Sequence, residues 1–119
     1  MAAIMIVDDS AFMRLILKDM IQKSGHRLAG EAENGWTAVQ TYREVDPDLV
    51  IMNIIMPDLN GIEALKKIKS IHPSAKVVMC SAMGNQYYVI ESIQAGAIDF
   101  IMKPFDEARM IHAIHKALS

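Results

Sequence analysis

The sequence predicts an α/β fold of five βα units, in which a parallel five-stranded sheet lies between two layers of helices. Two observations carry this. Apolar runs of strand length alternate with segments of helical period, the pattern of strands joined by right-handed crossovers. Most of the runs are continuous rather than alternating, as expected for strands covered on both faces. The 119 residues are 52% hydrophobic, enough for one domain over 1–119 with a substantial core.

The apolar runs occupy residues 2–7, 27–33, 48–53, 75–80 and 98–102. The second is the weakest, being more polar and holding Gly30. Ser10 is placed to cap the first helix, with Phe12, Leu15, Ile16 and Met20 as its stripe and Gly25 as its stop. Asn34 and Gly35 open the second helix, which closes near Asp46 and Pro47. Asn60 caps the third, with Ile62, Leu65, Ile68 and Ile71 facing inward. The fourth carries Val89, Ile90 and Ile93 and stops at Gly96. The fifth sets Ala108, Ile111, Ile114 and Leu118 on one side.

Composition narrows the function classes. Lys and Arg number 12 against 14 Asp and Glu, a net charge of −2, so no basic footprint for nucleic acid exists. No run approaches the roughly 18 apolar residues of a membrane span. The start, Met1 to Asp8, is too short and not basic enough for a signal peptide. The single cysteine, Cys80, excludes an internal disulfide and suits a cytoplasmic protein. Cys80, His112, His115 and Trp36 all read as packing or surface residues. Ten methionines suit an adaptable core or contact face.

In open parallel sheets ligands bind outside the carboxyl ends of the strands. The residues there are Asp8 and Asp9 after the first run, Asn53 ending the third, Ser81 after the fourth and Lys103 after the fifth. Each alone has a plain explanation: an acidic pair favours a helix N-terminus, a serine caps a turn, a lysine is solvated. Together they bring acids, an amide, a hydroxyl and an ammonium to one end of one sheet. Hard oxygens suit Mg2+, and a cation, an ammonium and a hydroxyl together stabilise phosphoryl transfer. The missing part is a nucleophile. A carboxylate at position 53 could attack phosphorus, but the nitrogen of an amide is conjugated and its oxygen carries no full charge.

Four motifs in concert carry a family resemblance: IVDDS at 6–10, MNIIMPDLNG at 52–61, CSAMG at 80–84 and DFIMKPF at 99–105. The chain resembles a receiver domain of two-component response regulators, most closely the single-domain chemotaxis regulators. The resemblance covers essentially the whole chain. It implies the flavodoxin-like strand order 2-1-3-4-5, for which chemotaxis receivers are a standard example. It implies a phosphorylation-controlled switch rather than a conventional enzyme. Asp9 would be a direct Mg2+ ligand, Asp8 would act through water, and the carbonyl of Ile55 would also coordinate. Position 53 would complete the metal and acceptor site. Ser81 would be the switch hydroxyl, Lys103 the phosphate-binding lysine and Phe100 the switch aromatic. The Lys103–Pro104 bond would be cis. The implied partners of this monomer are a histidine kinase and, through the face of fourth helix, fifth strand and fifth helix, a flagellar motor switch protein or another output protein.

Asn53 departs from the family pattern, which has its phosphoacceptor aspartate there. Intact helpers around it favour an engineered Asp→Asn replacement and a phosphorylation-deficient chain. The competing readings are a natural, phosphate-independent interaction module and a receiver cut from a longer regulator. Enzymes on the same fold fit less well. A flavodoxin wants a Ser/Thr/Gly-rich loop where this chain has VDDSAF, and a Mg2+-dependent phosphatase of this kind needs an aspartate where it has Asn53.

Overall fold

A computed structural model describes residues 1–82 and 86–119. Among these, five strands alternate with five helices. The strands are β1 (Ala3–Val7), β2 (Arg27–Ala32), β3 (Leu49–Asn53), β4 (Val77–Ser81) and β5 (Asp99–Met102). The helices are α1 (Ala11–Lys23), α2 (Gly35–Val45), α3 (Gly61–Ile71), α4 (Gln86–Gln94) and α5 (Glu107–Leu118). All paired strands are parallel and their order is β2-β1-β3-β4-β5, as the resemblance implied. Met83 and Gly84 of the CSAMG motif lie outside the described residues.

Successive side chains of a strand point to opposite faces, so each strand feeds two cores. Met5, Val7, Val50, Met52, Val77 and Met79 face a layer built from α2 and α3, with Tyr88 of α4 packed at its margin. Ile4, Ile6, Ile51, Val78, Cys80 and Ile101 face α1 and α5. The cores are apolar along the strands, and of the buried polar residues Asp8, Asn53 and Ser81 lie at the strand ends while Ser92 lies on α4.

Local chemistry ends the elements as expected. Ser10 Oγ accepts from Met13 N, Asn34 Oδ1 from Thr37 N and Asn60 Oδ1 from Glu63 N. Gly25 and Gly96 take positive φ just past α1 and α4, and Asp46 does the same after α2. Ser81 is the last residue of β4 rather than the residue after it.

The helical faces differ from the sequence reading in four places. In α1 the buried residues are Leu17, Met20 and Ile21, while Phe12 and Leu15 are 70% and 63% exposed. The run FMRLILKDMI holds more apolar residues than one face can bury, and docking on β1 selects a stripe rotated from the one read. In α4 Ser92 is the buried residue, and Ile90 and Ile93 face solvent. In α5 the core face is Met110, Ala113, Ile114 and Ala117; Ala108 is exposed. Ile71, the last residue of α3, is also largely exposed.

One close approach matters for the site. Gly61 N donates to Ile54 O at 2.7 Å, and a Cβ at Gly61 would collide with the carbonyl oxygen of Asn53. The N-terminus of α3 therefore rests directly on the backbone of the β3 end. Gly61→Ala is expected to cost about 1–3 kcal/mol through overpacking against backbone. Gly25→Ala meets open space and is strained only by its φ of +84°, so about 1–2 kcal/mol is expected. Urea unfolding of the two variants checks the ranking, with Gly61→Ala the more costly.

Candidate functional site

The carboxyl ends of β1, β3 and β5 bring four polar side chains into direct contact. Lys103 Nζ donates to Asp8 Oδ2 at 2.8 Å and to Asn53 Oδ1 at 3.2 Å. Asn53 Nδ2 donates to Ile55 O at 2.8 Å and to Asp9 Oδ1 at 3.3 Å. Asp8 is only 2% exposed, and a carboxylate removed from water in this way needs a charged partner. The Lys103 ammonium is that partner. Asp9, beside it, is exposed.

The orientation of the Asn53 amide follows from its neighbours. Its oxygen meets an ammonium, and its NH2 meets a carbonyl and a carboxylate. The flipped amide would set NH2 against NH3+ and oxygen against two oxygens, which is repulsive on both sides. The NH2 group thus bridges Asp9 and Ile55, satisfying one oxygen of each.

The backbone around the acids is equally fixed. Asp8 N donates to Ala32 O at 3.1 Å and Ser10 N donates to Asp8 Oδ1 at 2.9 Å. Ser81 is fully buried at the end of β4, and its carbonyl accepts from Lys103 N at 2.9 Å. This bond and the ion pair hold Lys103 from both its backbone and its side chain. The Lys103–Pro104 peptide is cis, as the resemblance implied. Phe100, two residues before the end of β5, is half-buried against the α2–α3 core.

The oxygen donors present are hard: two carboxylates and a backbone carbonyl, the set that suits Mg2+. Among the described residues no cluster of three or more His, Cys, Asp or Glu is placed to hold a metal. At the strand ends an amide stands where a third acid would complete such a cluster. Asp8, Asp9 and Ile55 fit Mg2+; Asn53, with its NH2 turned toward Asp9 and Ile55, does not.

Burial pushes the Cys80 thiol up to about 12, so no thiolate nucleophile forms near neutral pH. His112 and His115 are exposed on α5. Trp36 lies in a groove between α2 and α3, with Lys67 Nζ 5.1 Å from its ring centre, and none of Asp8, Asp9, Asn53 and Lys103 lines that groove.

Two features went unread in the sequence. Arg14 reaches from α1 to the carbonyl oxygen of Asp8 and to Glu31 of β2. Asp58 accepts from Gly35 N and Trp36 N, tying the loop after β3 to the start of α2. Burial raises the Asp58 pKa most, yet the hydrogen bonds from Leu59, Gly35, Trp36 and its own N–H together outweigh it and lower the value.

Residues 4–115 match the response regulator receiver domain family. The chain belongs to that family. It is 56% identical over 113 residues to the chemotaxis protein CheY of Thermotoga maritima, covering 95% of this chain and 94% of that one. It is 55% identical over 116 residues to CheY of Bacillus subtilis, covering 98% and 97%. The CheX–CheY–BeF3–Mg2+ complex from Borrelia burgdorferi contains a similar chain, with TM-score 0.95, 31% identity and coverage of 98% and 89%. The receiver is thus a CheY-like domain of two-component chemotaxis signalling and not a conventional enzyme. CheY-like receivers generally bind Mg2+ at their phosphorylation site. Among the described residues no helix is long and apolar enough to cross a membrane.

Two stability outcomes follow from the site. Asn53→Asp removes the two NH2 hydrogen bonds and sets a carboxylate against Asp9 and the Ile55 carbonyl, with Lys103 offsetting part of the repulsion. The metal-free variant is expected to be less stable than the present chain by about 1–3 kcal/mol. Mg2+ should reverse this gap by mass action on the tighter-binding variant. Denaturant unfolding with and without Mg2+ measures both effects. Lys103→Ala leaves Asp8 buried and unpaired, so a loss of about 2–4 kcal/mol is expected near neutral pH. Thermal or urea unfolding checks that loss, and equal stability would mean that Lys103 does not neutralise Asp8.

Proposed function

We propose that the cluster is a phosphoacceptor site whose acceptor position holds an amide in this chain. The observation that carries the reading is the Lys103 ammonium held between Asp8 and the side chain of position 53. An ammonium bonded to that side-chain oxygen is in place to neutralise a phosphoryl group carried by it. Two acids and a carbonyl gathered beside that ammonium are the oxygen set that a cation and a phosphoryl group would use. This favours reading Asn53 as an engineered replacement of an aspartate over a natural phosphate-independent module.

The proposed chemistry requires a carboxylate at position 53. Its oxygen attacks the phosphorus of a phosphohistidine, a P–O bond forms, and the P–N electron pair leaves with the kinase imidazole. Asp9 and the Ile55 carbonyl, with Asp8 through water, would hold Mg2+, which would supply positive charge to the phosphoryl oxygens. Lys103 binds another of these oxygens, and Ser81 donates to a third. Attack of water on the resulting aspartyl phosphate would break its P–O(acyl) bond, release inorganic phosphate and regenerate the carboxylate. With Asn53 the nitrogen lone pair is delocalised and no such attack occurs.

The output side follows from the same residues. A phosphoryl group that engaged Ser81 would bias the position of Phe100, and with it the face of α4, β5 and α5, shifting two pre-existing populations. Ile90, Ile93, Ile98 and Met102 on this face are each about half exposed, and such apolar surface suits a partner. A histidine kinase and a flagellar motor switch protein are the proposed partners, and the cytoplasm the proposed location. The Borrelia burgdorferi relative, solved with CheX, BeF3 and Mg2+, supports both a cation and a protein partner for this class of receiver.

Incubation with Mg2+ and acetyl phosphate is expected to leave this chain unmodified by intact mass, while Asn53→Asp gains one phosphoryl group. A stoichiometric adduct on the Asn53 chain would overturn the assignment of position 53.

A further inference from the structure

The turn that carries Asp8 and Asp9 is held from behind by a side chain that belongs to no metal ligand set. Arg14, one turn into α1, splits its guanidinium between two partners. Its Nε donates to Glu31 Oε1 at 3.0 Å, and its Nη1 donates to the carbonyl oxygen of Asp8 at 2.7 Å. Its side chain is only 15% exposed. Glu31 is fixed in turn by Lys18, which pairs with its other oxygen. The ring closes through β2, since Asp8 N donates to Ala32 O, the residue after Glu31. Arg14 N also donates to Ser10 O, at the start of the same helix.

We propose that Arg14 is a positioning residue for the cation site. Its fork fixes the plane of the Asp8–Asp9 peptide and thereby the place from which the Asp9 carboxylate reaches the cation. Glu31 orients the fork from the edge strand β2. The inference rests on the reading of Asp8 and Asp9 as Mg2+ ligands.

The charge of Arg14 separates this role from simple electrostatics. A cation near a cation site repels Mg2+, so removing it without any positioning effect would tighten binding. Loss of positioning weakens binding instead, and groups that orient metal ligands typically contribute about 10–100-fold in affinity. The two roles therefore predict opposite signs. Lysine distinguishes charge from geometry, because its ammonium is a point charge without a planar fork.

The test is calorimetric titration of Mg2+ into Asn53→Asp, which has the acid needed for measurable binding, and into the same protein carrying Arg14→Met or Arg14→Lys. Urea unfolding and circular dichroism run in parallel report whether each variant is folded. The expected result is Mg2+ affinity about tenfold weaker in Arg14→Met, with Arg14→Lys folded and recovering little of the loss. Unchanged or tighter binding by Arg14→Met, or full recovery by Arg14→Lys, overturns the proposal. If Arg14→Met does not fold, Arg14→Lys alone decides, with parental affinity counting against the fork. Asp9→Asn in the Asn53→Asp background tests the underlying reading separately. If Mg2+ binding is indifferent to Asp9, the site assignment fails, and this inference fails with it.

Discussion

The ammonium of Lys103 joins chain segments that are far apart in sequence: Asp8, 95 residues away, and Asn53, 50 residues away. Three strand ends meet at that one charge. The apolar sheet can bury Asp8 only because a cation neutralises it. The backbone of Lys103 is held by Ser81, so β4 shares in the same arrangement. The acidic turn, Asn53, Ser81 and the cis peptide after Lys103 are therefore parts of one mechanical unit.

Within this unit Asn53 is bonded on both sides of its amide. Its NH2 group satisfies the oxygens of Asp9 and Ile55, while its oxygen faces Lys103. The amide thus closes the acidic cluster internally, where a carboxylate would leave negative charge unbalanced and open to a cation.

The alternation of strands and helices, the strand-end residues and the starts of three helices were legible because they depend on local chemistry and on the period of apolar residues, whereas the strand order came only from the family resemblance. Ser10, Asn34 and Asn60 each bond to a backbone N–H three residues on, so sequence spacing suffices to find them. The buried faces of α1 and α4 were not legible. Each helix has apolar residues on more than one side, and docking against the sheet decides which side is covered. Arg14 and Asp58 were missed for a different reason. Their partners lie 17 and 23 residues away on other elements, and no spacing rule along one helix or loop links them. The orientation of the Asn53 amide likewise depends on a lysine 50 residues distant.

The sheet divides the interior into two cores that share strands but no side chains. Adjacent residues of β3, such as Val50 and Ile51, answer to different helical layers. The α1–α5 layer can therefore change its packing over time without requiring matching changes among α2 and α3, because substitutions without shared neighbours act nearly independently. Helical surfaces on one side of such a receiver are free to diversify toward new partners, while the strand-end chemistry, anchored in the backbone common to both layers, stays in place.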